Sequence, residues 1–193
     1  MGREIYYPHS GSQGDRCMIF TETKIKGVYL IEPELLTDER GFFARSFCKN
    51  EFRNHGLETD IVQCNISYNK KKGTLRGMHY QTPPFEEAKI VSCTKGSIYD
   101  VVVDLRKDSP TYCQWHTEEL SADSYRMLYI PNGCAHGFQT LEDNCLVYYQ
   151  IGENYHAECA GGIRWNDPSI GIVWPLPAII ISEKDKNYGD FIR

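Results

Sequence analysis

Two stretches of this 193-residue chain decide its fold: Gly73-Thr74-Leu75-Arg76-Gly77-Met78-His79-Tyr80-Gln81-Thr82-Pro83-Pro84-Phe85-Glu86 and Pro131-Asn132-Gly133-Cys134-Ala135-His136. Each enters a strand-like run from a Gly- or Pro-bearing turn. Residues i and i+2 of an extended strand face the same way, so His79 and Gln81 share a face. By the same alternation Arg76 faces away from His79, unless a bulge at Gly77 resets the parity. Working outward, similar short runs recur at 28–32, 42–47, 61–68, 73–81, 87–94, 97–105, 114–120, 126–130, 134–141 and 144–151, punctuated by Gly, Pro, Asn and Asp. The one convincing helical stretch before residue 160 is 49–55, too short to cover a parallel sheet, so a βαβ architecture fails for want of crossover helices. An all-β sandwich or barrel with short peripheral helices remains. Within it, Ile98, Asp100, Val102 and Asp104 alternate with Tyr99, Val101, Val103 and Leu105, and the face carrying two carboxylates is either a cavity wall or a solvated surface.

The spacing Gly73, His79, Gln81, Glu86 resembles the first cupin motif, in which a double-stranded β-helix points two histidines and a glutamate at a metal, with Gln81 standing where one histidine is expected. Pro131-x-Gly133-x-x-His136 resembles the second motif in full. The pair implies a cupin-type jelly-roll barrel with His79 and His136 turned inward. A weakly binding amide in place of an imidazole dismantles the metal triad, and Lys89 brings positive charge to the same cavity, so no metal is expected. The alternative is a metal held by His79, Glu86 and His136.

Composition narrows the function classes. The chain is long enough for one full-sized domain, is 41% hydrophobic and 24% charged, and has no apolar run near the ~20 residues that cross a bilayer. A formal net charge of -5 gives no basic footprint for nucleic acid. The eight cysteines, at 17, 48, 64, 93, 113, 134, 145 and 159, form no Cys-x-x-Cys pair and read as reduced core residues of a cytoplasmic protein. Residues 1–17 lack the apolar stretch of a signal peptide and read as a flexible extension, leaving 18–193 as a single domain.

A longer set of motifs runs through that domain: Asp38-Glu39-Arg40-Gly41-Phe42-Phe43, Gln63-Cys64-Asn65, Leu75-Arg76-Gly77-Met78-His79-Tyr80-Gln81, Ala88-Lys89-Ile90-Val91, Tyr99-Asp100 through Ser109-Pro110-Thr111, Ile130-Pro131 through His136-Gly137-Phe138, Trp165-Asn166-Asp167-Pro168 and Ser182-x-Lys184-Asp185. In this order, over about residues 18 to 186, it resembles the dTDP-4-dehydrorhamnose 3,5-epimerase family. The resemblance implies a metal-free, cofactor-free jelly roll, usually a homodimer joined through N-terminal strands (here 18–47). Such enzymes invert carbons flanking the C4 ketone of a nucleotide-linked 4-keto-6-deoxyhexose. It further implies His79 as base, Asp185 as its partner, Lys89 as enolate stabiliser and Tyr149 as acid, with Tyr148 turned the other way. Arg40, Phe43, Gln63, Asn65 and Arg76 are implied for the nucleotide diphosphate, and His136 with Asp100 for the pocket floor. Three positions depart from the family: Arg45, Cys64 and Asn154 stand where Glu, Asp and Tyr are common. They leave open a CDP- or GDP-sugar, and a single-site epimerase or ketoisomerase. A sugar-binding cupin without catalysis is the rival from another class.

Overall fold

The computed structural model describes residues 18–58 and 60–192. In chain order the elements are β1 (Met18–Glu22), β2 (Tyr29–Pro33), β3 (Leu36–Asp38), β4 (Gly41–Phe43), α1 (Lys49–Asn54), β5 (Gln63–Asn69), β6 (Leu75–Gln81), β7 (Lys89–Lys95), β8 (Ser97–Asp104), β9 (Trp115–Ser121), β10 (Met127–Ile130), β11 (Cys134–Thr140), β12 (Cys145–Ile151), β13 (Ala160–Gly162) and α2 (Glu183–Lys186). From β5 to β12 each strand falls on one of the runs expected from sequence, and α1 falls on the expected helix. The run at 42–47 shrinks to β4. β13 has no signal of its own: Ala-Gly-Gly carries no β-branched side chain, and it is a strand because β6 pairs with it.

Two antiparallel sheets face one another, in the order β1-β2-β10-β7-β12-β5 and β13-β6-β11-β8-β9, with β3 and β4 as a separate hairpin. Among the described residues no hydrogen-bonded strand links the two sheets, so the jelly roll is an open sandwich rather than a closed barrel. Alternation decides what lies between them. Val91, Cys93, Ile98, Val102, Phe138 and Val147 point inward and fill one end of the interior, with no exposure above 3%. The other faces are covered too. Met78, Val101, Val103 and Ala135 are roofed by the C-terminal segment through Ile163 and Ile170, while Ile90, Met127 and Tyr129 pack on Phe52 of α1.

The carboxylate face of β8 is therefore interior, since Asp100 and Asp104 are both fully buried. Asp104 closes a loop: it accepts from Arg106 Nε at 2.8 Å, Ser109 Oγ at 2.5 Å and Thr111 Oγ1 at 2.6 Å. Burial pushes against its charge, yet these bonds outweigh it and hold the carboxyl below the usual Asp range. The seven described cysteines are free thiols, and burial pushes those of Cys93 and Cys134 up to about 12. Residues 1–17, read from sequence as an extension, lie outside the described residues.

Candidate active site

Where the interior is not filled by side chains it opens as a cavity of about 290 Å³. One wall comes from the five-stranded sheet, with His79 and Gln81 of β6 and His136 of β11. The facing wall comes from the six-stranded sheet, with Gln63, Asn65 and Ser67 of β5, Lys89 of β7, and Tyr149 and Ile151 of β12. His79 and His136 are direct cross-strand neighbours.

The parity problem at Arg76 is solved by the bulge. Between the pairs His79↔His136 and Arg76↔Phe138, two residues of β6 oppose Gly137 alone, so Arg76 and His79 reach the same face despite their odd spacing. Only glycine fits there. Gly77 has φ +128°, and a Cβ would lie 2.5 Å from Gly137 Cα. Arg76 is exposed at the rim, its Nε donating to Asn69 Oδ1 at 2.7 Å.

Each cavity histidine is held by a buried carboxylate. His79 Nε2 lies 2.7 Å from Asp185 Oδ1, and Asp185 Oδ2 accepts the Gly77 N–H at 3.3 Å. Ser182 places that carboxylate by capping α2, its Oγ accepting the Asp185 N–H at 3.1 Å. Burial opposes the charge of Asp185, but the His79 ring and the Gly77 N–H prevail and hold its carboxyl below the usual range. A carboxylate at Nε2 takes that nitrogen's proton in hydrogen bonding and leaves Nδ1 as the basic nitrogen. His136 Nε2 is likewise 2.7 Å from Asp100 Oδ1. Burial drives the Asp100 carboxyl up, only partly offset by His136 and Lys89, and its Oδ2 is buried without a partner.

Tyr149 obeys the expected alternation. It points inward and sets its ring edge-on to His136 with centroids 6.0 Å apart, whereas Tyr148 faces outward. Burial first, and the charge of Asp100 second, push its phenol well above the ordinary value, while Arg76 pulls it down. It therefore carries its proton at neutral pH.

The donor set does not fit a metal. The amide of Gln81 is consumed by backbone: Nε2 donates to Phe85 O at 2.9 Å and Asn154 O at 3.0 Å, and Oε1 accepts the His156 N–H at 2.6 Å. It pins two rim loops together, and Phe85 stacks on His156 with centroids 3.6 Å apart. Both imidazoles commit Nε2 to a carboxylate, and Glu86 lies beside Gly133, outside the cavity lining.

Of the residues singled out from sequence, the structure gathers His79, Lys89, Tyr149, Gln63, Asn65 and His136 around the cavity, with Asp185 and Asp100 directly behind and Arg76 at its edge. Arg40 and Phe43 are not brought there. They sit on the β3–β4 hairpin, whose strands are exposed throughout and pair only with each other, and Arg40 is bonded to Asp38. Sequence reasoning missed Glu87, Lys184 and Tyr188 as lining residues, while Tyr155, a fallback candidate for the acid, also lines the cavity. Tyr188 lies edge-on to His79 at 6.2 Å and occupies the space a Cβ at Gly162 would need. The Gly161-Gly162 pair opposite Tyr80 and His79 was the available signal for such a close approach.

A family model described as dTDP-4-dehydrorhamnose 3,5-epimerase matches residues 22–192. A curated dTDP-4-dehydrorhamnose 3,5-epimerase from Methanothermobacter thermautotrophicus is 46% identical over 172 residues, covering 88% of this chain and 92% of that protein. The crystal structure of the Bacillus anthracis enzyme of that name, with TDP and PPi bound, superposes with a TM-score of 0.86 at 42% identity, covering 90% of this chain and 99% of that one. A Legionella pneumophila dTDP-6-deoxy-D-glucose-3,5-epimerase in complex with dTDP-4-keto-L-rhamnose gives 0.81 at 39% identity, covering 87% and 89%. With a family match across nearly the whole described fold, this chain is a member of the dTDP-4-dehydrorhamnose 3,5-epimerase family, an isomerase built on a cupin-type jelly roll.

Proposed function

We propose that the protein inverts C3 and C5 of a nucleotide-linked 4-keto-6-deoxyhexose, converting dTDP-4-dehydro-6-deoxyglucose to dTDP-4-dehydrorhamnose through enolate intermediates in deoxysugar biosynthesis. The observation that carries this reading is the placement of His79 and Tyr149 on facing sheets, so that a ring held between them meets a base on one side and an acid on the other. His79 Nδ1 takes the proton α to the C4 ketone, and Asp185 stabilises the imidazolium that forms. The electron pair moves to the ketone oxygen, where the Lys89 ammonium meets the developing charge. Tyr149 then returns a proton to the carbon from the opposite side, inverting it. A positioned general base of this kind contributes about 10²- to 10⁴-fold. His136, oriented by Asp100, shapes the floor under the sugar.

Gln63, Asn65 and Arg76 border the same opening and suit the diphosphate and base, with the guanidinium forking onto phosphate. Arg40 and Phe43 join them in a homodimer, in which the exposed β3–β4 hairpin of one protomer lies over the cavity of its partner. Ile19, Leu36 and Phe43 each leave more than half their surface open, which supports an interface along this N-terminal segment. The free thiols of the described cysteines support a cytoplasmic location. Among the described residues no helix is long and apolar enough to cross a membrane. Incubation with dTDP-4-dehydro-6-deoxyglucose in heavy water, followed by NMR, tests the reaction. Deuterium at both C3 and C5 is expected, deuterium at one position would make it a single-site epimerase, and none at either would overturn the reading.

A further inference from the structure

The cavity wall holds one ion pair that the reaction as described does not use. Lys89 Nζ lies 2.8 Å from Glu87 Oε1, with side chains only 9% and 12% exposed, and both residues line the cavity. Lys89 opens β7 and points inward with Val91 and Cys93, so its four-carbon stem runs beside the apolar core and its ammonium lies buried in the cavity wall. A second carboxylate competes for that ammonium. Asp100 is fully buried yet near enough for the Lys89 charge to bear on it, and its Oδ2 has no hydrogen-bond partner among the described residues. An unanchored ammonium on a flexible stem would be drawn toward that open oxygen and away from the Glu87 side. Glu87 takes one of the three ammonium N–H donors and leaves two for a ligand.

We propose that Glu87 is a positioning residue that holds the Lys89 ammonium in the cavity wall, away from Asp100, where it meets the enolate oxygen. This rests on the enolate reading above and assigns a role to a side chain outside the set implied by the family resemblance. The anchor costs part of the field of Lys89, because a carboxylate beside an ammonium weakens its attraction for a second anion. Two consequences separate anchoring from mere packing. A neutral oxygen acceptor of the same shape should serve nearly as well as the carboxylate, and loss of the acceptor should affect the chemical step more than substrate binding.

The test compares Glu87→Gln and Glu87→Ala with the unsubstituted enzyme, reading solvent deuterium exchange, kcat and KM on dTDP-4-dehydro-6-deoxyglucose, together with crystal structures of each. Glu87→Ala should lose about 10- to 100-fold in kcat and exchange, the scale of a misplaced catalytic group, with KM within about 3-fold. Glu87→Gln should stay within about 5-fold of the parent enzyme. In the Glu87→Ala crystal the Lys89 ammonium should have moved to Asp100. Full activity in Glu87→Ala, or equal losses in the Gln and Ala variants with KM raised in step, would overturn the proposal. If the parent enzyme exchanges no deuterium, the enolate reading fails on its own, and the crystals still decide the anchor: a Lys89 unmoved in Glu87→Ala refutes it.

Discussion

Replacing Asp185 with asparagine changes one atom and should disable the base. In the folded protein the carboxylate binds His79 Nε2 at 2.7 Å and the Gly77 N–H at 3.3 Å. Asparagine can satisfy Gly77 only by turning its oxygen that way, which presents its NH2 group to Nε2. The ring must then carry its proton on Nδ1, the nitrogen needed as base. The charge is lost as well. Opposite charges 4 Å apart attract by about 4 kcal/mol at an effective dielectric of 20, and water reaching a half-open ring reduces this to roughly 2–3 kcal/mol. The His79 side chain is 42% exposed, which warrants that discount. An imidazolium destabilised by that amount slows proton abstraction by roughly 30- to 150-fold, and the wrong tautomer adds to the loss. The variant should keep the affinity for dTDP, since Asp185 lies behind the ring and outside the cavity lining. The assay is deuterium wash-in followed by NMR, with dTDP binding by calorimetry. Exchange within about 3-fold of the parent enzyme would refute the assignment of His79 and Asp185 as a coupled base.

Asp104→Ala leaves Arg106, Ser109 and Thr111 without their common acceptor and should cost about 3 kcal/mol in urea denaturation. Because the folded-state carboxyls of Asp104 and Asp185 lie below their unfolded values, their contribution is present above the ordinary Asp range near ~3.9 and is lost as pH falls through the folded values. The acid slope of stability should therefore be shallower in Asp104→Ala, as a denaturation series from neutral to acid pH will show. Gly77→Ala drives a Cβ into Gly137 at a φ of +128° and should abolish exchange by resetting the bulge that aligns Arg76 with His79, which a crystal structure or loss of activity checks. Arg45, where the family resemblance leads one to expect Glu, is bonded to Glu51 at 2.7 Å and does not line the cavity. Arg45→Glu should cost about 1 kcal/mol through carboxylate repulsion and leave the relative affinities for dTDP, CDP and GDP unchanged in competition binding; a shift toward dTDP would show that this position reaches the nucleotide.

Much of the fold and half of the site were legible because they rest on local rules. Strict alternation places Tyr149 inside and Tyr148 outside, and the odd spacing of Arg76 and His79 demanded a bulge that Gly77 supplies. What escaped depends on contacts between distant segments. β13 is a strand only because β6 lies beside it, and Gln81 becomes a clamp because Asn154 and His156 arrive from 73 and 75 residues away. Glu87 stands two residues before the recognised Lys89, yet its pairing depends on both side chains turning into the same cavity rather than outward to water. Arg40 and Phe43 show the opposite case: the motif is present, but within one chain the hairpin that carries them packs against no cavity.

The central claim is that base and acid act from opposite walls, and it is tested most directly by comparing exchange with inversion in His79→Ala and Tyr149→Phe. Without its base, His79→Ala should lose solvent exchange and product formation together, by at least about 10²-fold. Tyr149→Phe keeps the ring, and its packing against His136, but removes the hydroxyl. The enolate should then still form and pick up deuterium on the original face, so exchange outlasts inversion. If Tyr149→Phe instead loses wash-in and product in equal proportion with dTDP affinity unchanged, the tyrosine is not the opposite-face acid and the two-wall account is contradicted.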